Sequence, residues 1–293
     1  MLAKALVHIG KDIDAAFDAL LPIPDDARAR LYQAMRYSVL GGGKRLRPML
    51  LTATAEMFAV DRATAIRAAC AVEAVHCYSL IHDDLPCMDD DALRHGKPTL
   101  HVAFDEATAV LAGDALQAFA FEVLSDPAIF ADPFTRAELV QVLARSAGPA
   151  GMVGGQAMDI AAETAEFDLQ AVTRLQQLKT GTLLDASVEM GAILGRVPVD
   201  GRRQLRGYAH SIGLAFQIAD DLLDHAGDAA KVGKAVQKDA AAGKQTFVSL
   251  LGEARAREQA AMLVDQAIAH LASHGAEADL LRALARYIVE RDH

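Results

Sequence analysis

The chain contains no tryptophan, and aromatic residues of any kind make up only 5% of its 293 residues. Poor in aromatics and rich in alanine, such a composition favours close-packed helices over a β-sandwich. Cysteine is scarce: Cys70, Cys77 and Cys87 form no CxxC pair, and an odd count in a chain of this size points to reduced thiols in the cytoplasm. Basic residues are outnumbered, 29 Lys and Arg against 39 Asp and Glu, for a net charge of −10. That balance argues against nucleic acid as the main partner, because a phosphate backbone needs a basic stripe. The first residues, MLAKALVHIGKDIDAAF, carry charges every few positions and lack a signal-peptide core. No apolar run approaches the roughly 20 residues of a membrane span. Low-complexity tails and internal repeats are also missing.

What remains is helical patterning. Apolar residues recur at spacings of three and four nearly everywhere, and sustained strand-like alternation is absent. Residues 25–40 open with acids after Pro22 and Pro24, place Leu31, Met35 and Val39 on one stripe, and stop at Gly41–Gly43. Similar stripes run through 63–82, 105–124, 135–146, 168–193, 203–224, 245–252, 257–272 and 277–289. The connections are short, and only 225–244 reads as a loop of some length. The expectation is one all-α domain over residues 1–293.

Two aspartate clusters interrupt these apolar stripes. HDDLPCMDDD holds Asp83, Asp84, Asp89, Asp90 and Asp91, and QIADDLLD holds Asp220, Asp221 and Asp224. Residues four apart on a helix differ by about 40°, so Asp220 and Asp224 project from one face. A straight helix would splay Asp83 and Asp89 by about 120°, but Pro86 breaks it and lets them converge. Both clusters fall near helix C-termini, where the dipole disfavours negative charge. Hard oxygen ligands, with no Cys or His at ligand spacing, point to Mg²⁺, which binds through a few carboxylates plus substrate phosphates. A basic counterpart lies in GGGKRLRP (41–48), where Lys44, Arg45 and Arg47 follow a glycine turn and Pro48 suits the first position of the next helix. Free N–H groups there, with Lys and Arg beside them, make a diphosphate cradle.

At these residues the chain resembles the short-chain trans-prenyltransferases, most of all bacterial farnesyl diphosphate synthases. The resemblance covers nearly the full length: GGKRLRP (42–48), EAVHCYSLIHDDLPCMDDDALRHGKPT (73–99), LAGDAL (111–116), GMVGGQAMD (151–159), LKTG (178–181), FQIADDLLD (216–224), VGKAVQKD (232–239) and GKQT (243–246). It implies an all-α helical bundle of the isoprenoid synthase type with a central active-site cavity. It further implies that Asp83, Asp89 and Asp220 hold three Mg²⁺ ions, with Asp84 and Asp224 as supporting acids. Arg94 and Lys179 would grip the allylic diphosphate, joined by Lys234 when the 225–244 loop closes. Thr180 and Gln217 would border the developing carbocation, and Gln156 and Asp159 would form a supporting polar network. Lys44, Arg47, His76 and Arg291 match positions associated with isopentenyl diphosphate.

By the same resemblance, isopentenyl diphosphate is joined head-to-tail to dimethylallyl and geranyl diphosphates, and the product is farnesyl diphosphate. The partners are small isoprenoid diphosphates and a second copy of the chain. An elongating tail would run along the helix that carries the first acid motif, so Tyr78 and Ser79, one turn upstream, are the chain-length residues. Geranylgeranyl (C20) or geranyl (C10) diphosphate is the alternative product, and a non-catalytic synthase subunit is a distant alternative. Some positions depart from the family pattern. His95 follows Arg94 where a second Arg is usual, Gln237 replaces a frequent Gly, Phe247–Val248 a Tyr-Pro, and Arg286 a common Asp. A neutral imidazole at 95 would hold isopentenyl diphosphate more weakly.

Overall fold

The computed structural model describes residues 2–226 and 245–290. Lys234, Gln237 and Arg291 therefore lie outside the described residues, as does most of the 225–244 segment. Among the described residues the fold is all-α apart from one short hairpin. The chain divides into two compact units, residues 1–140 and 141–293.

The first unit holds α1 (Leu2–Leu20), α2 (Ala29–Val39), α3 (Leu46–Met57), α4 (Arg62–Asp83), α5 (Leu100–Ala103) and α6 (Glu106–Ser125). Helix α4 is its centre, packed against α1, α2, α3 and α6. Asp61 caps it by accepting from the Thr64 N–H. Small residues such as Ala68, Ala69, Cys70, Ala71 and Ala74 are fully buried along it, which lets neighbouring helices approach closely. Helix α1 lies outside the apolar stripes that the sequence pattern marks, yet Ile9, Ile13 and Phe17 are buried at intervals of four. Helix α3 starts at Leu46, so Pro48 takes the third helical position rather than the first. It still lies in the first turn, where a missing N–H costs nothing.

By length and composition alone helix α6 could cross a membrane, but Asp114 and Glu122 interrupt its apolar run. It serves as a core helix of the first unit, with Ala112, Gly113, Leu116 and Leu124 buried and with α2, α4 and α5 packed on it.

Two strands, β1 (Leu93–Arg94) and β2 (Lys97–Pro98), pair antiparallel. His95 and Gly96 between them have φ of 51° and 75°, the two positive values that a tight I′ hairpin turn requires. Two residues per strand are too few for alternation to be visible in the sequence.

Helix α7 (Pro133–Ala147) spans the boundary between the units. The second unit continues with α8 (Met152–Ala161), α9 (Leu169–Gln176), α10 (Thr182–Leu194), α11 (Arg203–Ala226), α12 (Phe247–Leu251), α13 (Glu253–His270) and α14 (Asp279–Glu290). Its core forms around α11, which packs against α10, α12, α13 and α14. Tyr208 is fully buried there, its hydroxyl donating to the Leu281 carbonyl at 2.8 Å. The stripe expected over 168–193 is real but not uniform: α9 and α10 are joined by a π-helical turn, Gln177–Gly181.

Candidate active site

Helix α4 ends at Asp83, three residues before Pro86. The chain then folds back on itself: the Asp89 N–H donates to the Asp83 carbonyl at 2.8 Å, and the Asp91 N–H to the Asp84 carbonyl at 3.3 Å. Asp90 sits at a φ of 50°, an uncommon left-handed value that Asp tolerates better than most residues. The turn thus brings the Asp89 backbone back beside that of Asp83.

Asp84 is buried at the base of this turn. Arg94, presented by the hairpin, donates to Asp84 Oδ1 through Nε at 2.7 Å and Nη2 at 2.5 Å, and lies 3.5 Å from Asp91. Burial still raises the Asp84 carboxyl above its ordinary range against the pull of Arg94, with help from the charges of Asp91 and Asp89. One guanidinium does not neutralise four neighbouring acids. Among the described residues no group of three or more acid, His or Cys side chains is poised as a cage for a metal ion. The donor set fits Mg²⁺ nonetheless: the oxygens are hard, and this ion characteristically completes its shell with substrate phosphates and water.

In the second unit, Asp220, Asp221 and Asp224 occupy the last two turns of α11. Asp221 is buried, and its Oδ2 accepts the Phe247 N–H at 2.8 Å. Asp221 thereby ties α12 to α11, and the half-buried Asp220 and Asp224 share the other face. Gln217 is buried one turn earlier on α11.

Lys179 and Thr180 lie within the π-helical turn, an irregularity that often marks functional positions. Lys179 Nζ donates to Asp159 on α8 at 2.9 Å. Glycines on both flanking helices allow this packing. A Cβ on Gly155 of α8 would meet the Lys179 backbone N at 2.2 Å, and one on Gly213 of α11 would meet the Gly181 Cα at 3.3 Å. On α8, both amide atoms of Gln156 are buried with no hydrogen-bond partner among the described residues, an arrangement that calls for a polar ligand.

The glycine loop before α3 divides its cations. Gly41, Gly43 and Arg45 all have positive φ. Arg45 belongs to the cradle by its place in the sequence, but it turns inward. Its Nη1 meets Glu73 at 2.6 Å, and its Nη2 meets Asp14 at 2.8 Å and the Val39 carbonyl. Arg45 anchors the loop to α4 and α1, while Lys44 is left exposed and Arg47 half-buried. The signal for this pairing was Glu73, a lone acid within the apolar, alanine-rich stretch 68–75 of α4. His76, one turn further along α4, is pushed well below its ordinary range by burial and by the charges of Arg47, Arg94, His95 and Arg45. These residues therefore share one electrostatic neighbourhood, and the imidazole is neutral at pH 7.

Tyr78 is buried on α4, with the Gln117 side chain beside its hydroxyl. The Ser79 hydroxyl donates to the His76 carbonyl at 2.9 Å. Cys70 and Cys77 are buried thiols, and burial pushes Cys70 up to about 12 and Cys77 higher still, so both act as packing residues.

The Polyprenyl synthetase family model matches residues 28–286. The chain is 43% identical to the farnesyl diphosphate synthase of Haemophilus influenzae, covering 99% of this chain and 97% of that one. It is also 40% identical to geranylgeranyl pyrophosphate synthase 4 of Arabidopsis thaliana, over 100% of this chain and 77% of the plant protein. Among solved structures, the apo FPP/GFPP synthase from Zymomonas mobilis superposes with a TM-score of 0.91 at 56% identity, covering 98% of each chain.

Proposed function

From the premise that this chain belongs to the polyprenyl synthetase family, and so is a prenyltransferase making a polyprenyl diphosphate, we propose that it condenses isopentenyl diphosphate with dimethylallyl and geranyl diphosphates and stops at farnesyl diphosphate. The observation that carries the C15 product is Tyr78, a large side chain only 4% exposed on α4, five residues before Asp83. A tail growing from a diphosphate held at Asp83 meets that ring as a floor. Relatives named as geranylgeranyl synthases support C20 as the second reading, and the Tyr78 side chain is what disfavours it.

Asp83, Asp89 and Asp220 are the proposed ligands of Mg²⁺, three ions per site, with Asp84 and Asp224 in support. Bound there, the ions supply charge neutralisation of the leaving diphosphate. Arg94 and Lys179, with Lys234 from outside the described residues, hold the same diphosphate in place, so that donors face the oxygens where charge develops. Thr180 and Gln217 border the allylic carbon, and Gln156 and Asp159 hold the polar surroundings of Lys179. Lys44, Arg47 and the neutral His76, with Arg291 from outside the described residues, orient isopentenyl diphosphate for attack. No side chain is assigned as the base; the released diphosphate accepts the proton.

The family match runs through both compact units, which supports reading residues 1–293 as one synthase domain. The free thiols fit a cytoplasmic setting. A homodimer is proposed because the apolar helix α6 leaves Val110 and Leu111 exposed. Light scattering of the purified protein tests this, and a monomer at micromolar concentration refutes it.

The test of function is incubation with labelled isopentenyl diphosphate, Mg²⁺ and each of the C5, C10 and C15 allylic primers, with products dephosphorylated and sized. Consumption of C5 and C10 with accumulation at C15 is expected. Efficient conversion of C15 to C20 would overturn the product assignment. No turnover with any primer, from folded protein, would leave only a non-catalytic subunit.

A further inference from the structure

His82 stands next to the first metal-motif acid, but its side chain points away from that chemistry. Its ring meets Tyr78, one turn earlier on α4, edge to face: the centroids are 5.8 Å apart and the planes 70° apart. Its Nε2–H donates across to α6, to the Val110 carbonyl at 3.2 Å. The imidazole occupies a seat made by the absence of a side chain on α6, since a Cβ on Gly113 would lie 2.1 Å from His82 Nε2 and 2.6 Å from Cδ2. Gln117, one turn beyond Gly113, lies beside the Tyr78 hydroxyl.

We infer that His82 and Gly113 together set product length, with His82 as a positioning residue that braces the Tyr78 ring and Gly113 providing the space that lets it do so. The inference rests on the elongation reading and on Tyr78 as the floor, and extends them to residues that do not themselves block the tail. A tyrosine on a helix has staggered alternatives for its ring. What keeps it across the path of a growing chain is packing from its neighbours, and here one neighbour is the edge of an imidazole pinned at its far end by a backbone carbonyl. Side chains on a helix lean toward its N-terminus, which carries His82 over Tyr78 rather than toward Asp83. An alanine at 113 evicts the imidazole from its seat, because the added carbon coincides with the ring and the α6 backbone behind it is fixed by packing.

The experiment sizes products from five proteins under identical conditions: the parent chain, Tyr78→Ala, His82→Ala, Gly113→Ala and the Tyr78→Ala/His82→Ala double variant. His82→Ala is expected to raise the ratio of C20 to C15 product about fivefold, the factor an edge-to-face ring pair is worth. Gly113→Ala, which leaves α4 untouched, is expected to shift it in the same direction. The double variant should make no longer product than Tyr78→Ala alone, because a brace has nothing left to act on once its ring is gone. A change in product length is not what a merely structural loss produces, since that lowers the yield of every product together. A shift with Tyr78→Ala but none with His82→Ala or Gly113→Ala overturns the bracing role and leaves the floor standing. Additive lengthening in the double variant also overturns it. Unchanged products from Tyr78→Ala overturn the floor and the brace together.

Discussion

Asp185 on α10 has a buried Oδ1 with no hydrogen-bond partner among the described residues. One turn on, Glu189 is engaged by Arg202 and Arg206, but neither arginine is among the groups that act on Asp185. Burial, reinforced by the negative charge of Glu189, raises the Asp185 carboxyl from 3.8 to about 7. A raised acid has a definite consequence for stability. Between these two values the folded chain keeps a proton that the unfolded chain has released, so stability falls as pH rises through this window and is lowest above about 7. Each tenfold change in proton affinity corresponds to about 1.36 kcal/mol, so the tighter hold on this proton amounts to a penalty on the order of 4 kcal/mol at full ionisation, as an upper bound. Asp185→Asn keeps the shape and cannot ionise. Thermal melts of both proteins between about pH 5 and 8, at constant salt, should show the variant gaining on the parent as pH rises. At roughly 2–4 °C per kcal/mol for chains of 150–250 residues, the gain reaches several degrees. A melting-temperature difference that stays flat across that range would refute the reasoning, because a charge-independent effect of the substitution has no pH dependence.

Asp83→Ala or Asp220→Ala is expected to lower turnover by orders of magnitude with the helical circular dichroism unchanged, and near-normal turnover removes that residue from the metal site. Gly213→Ala adds a carbon 3.3 Å from the Gly181 Cα, displacing the π-helical turn by a few tenths of an ångström. Steady-state kinetics should show a kcat loss of about tenfold with KM little changed, since sub-ångström misplacement of catalytic groups is costly; an unaltered kcat argues against close coupling of that turn to Lys179 and Thr180. His95→Arg is expected to lower the KM for isopentenyl diphosphate, because a guanidinium holds a diphosphate by permanent charge and paired donors. Identical KM values for the two proteins remove position 95 from that site.

Much of this was legible along the chain because its signals are local. Helix α4 announced itself through periodicity, and Pro86 implied the fold-back that brings Asp89 to Asp83. Helix α1 has the same periodicity but alternates it with charge. Helix α8 is built on Gly154 and Gly155, which disfavour a helix on propensity and are present because of what packs on them. The π-helical turn leaves no signature in the sequence, since one extra residue per turn is invisible against the scatter of apolar spacing.

The residue types and spacings alone determined that the chain is helical, that it carries two acid clusters suited to Mg²⁺, and that a glycine loop with cations precedes α3. Only the tertiary structure decided which partner each of several neighbouring polar side chains takes. Arg45 turns inward to Glu73 and Asp14 while Lys44 stays exposed. Asp221 is spent on the Phe247 N–H while Asp220 and Asp224 share the other face of α11. His82 finds Gly113 rather than the acids beside it. The reason is physical: helix periodicity depends on residues within four positions of one another, whereas the partner a charged or aromatic side chain takes depends on which distant backbone leaves room for it and which distant charge it must meet when buried.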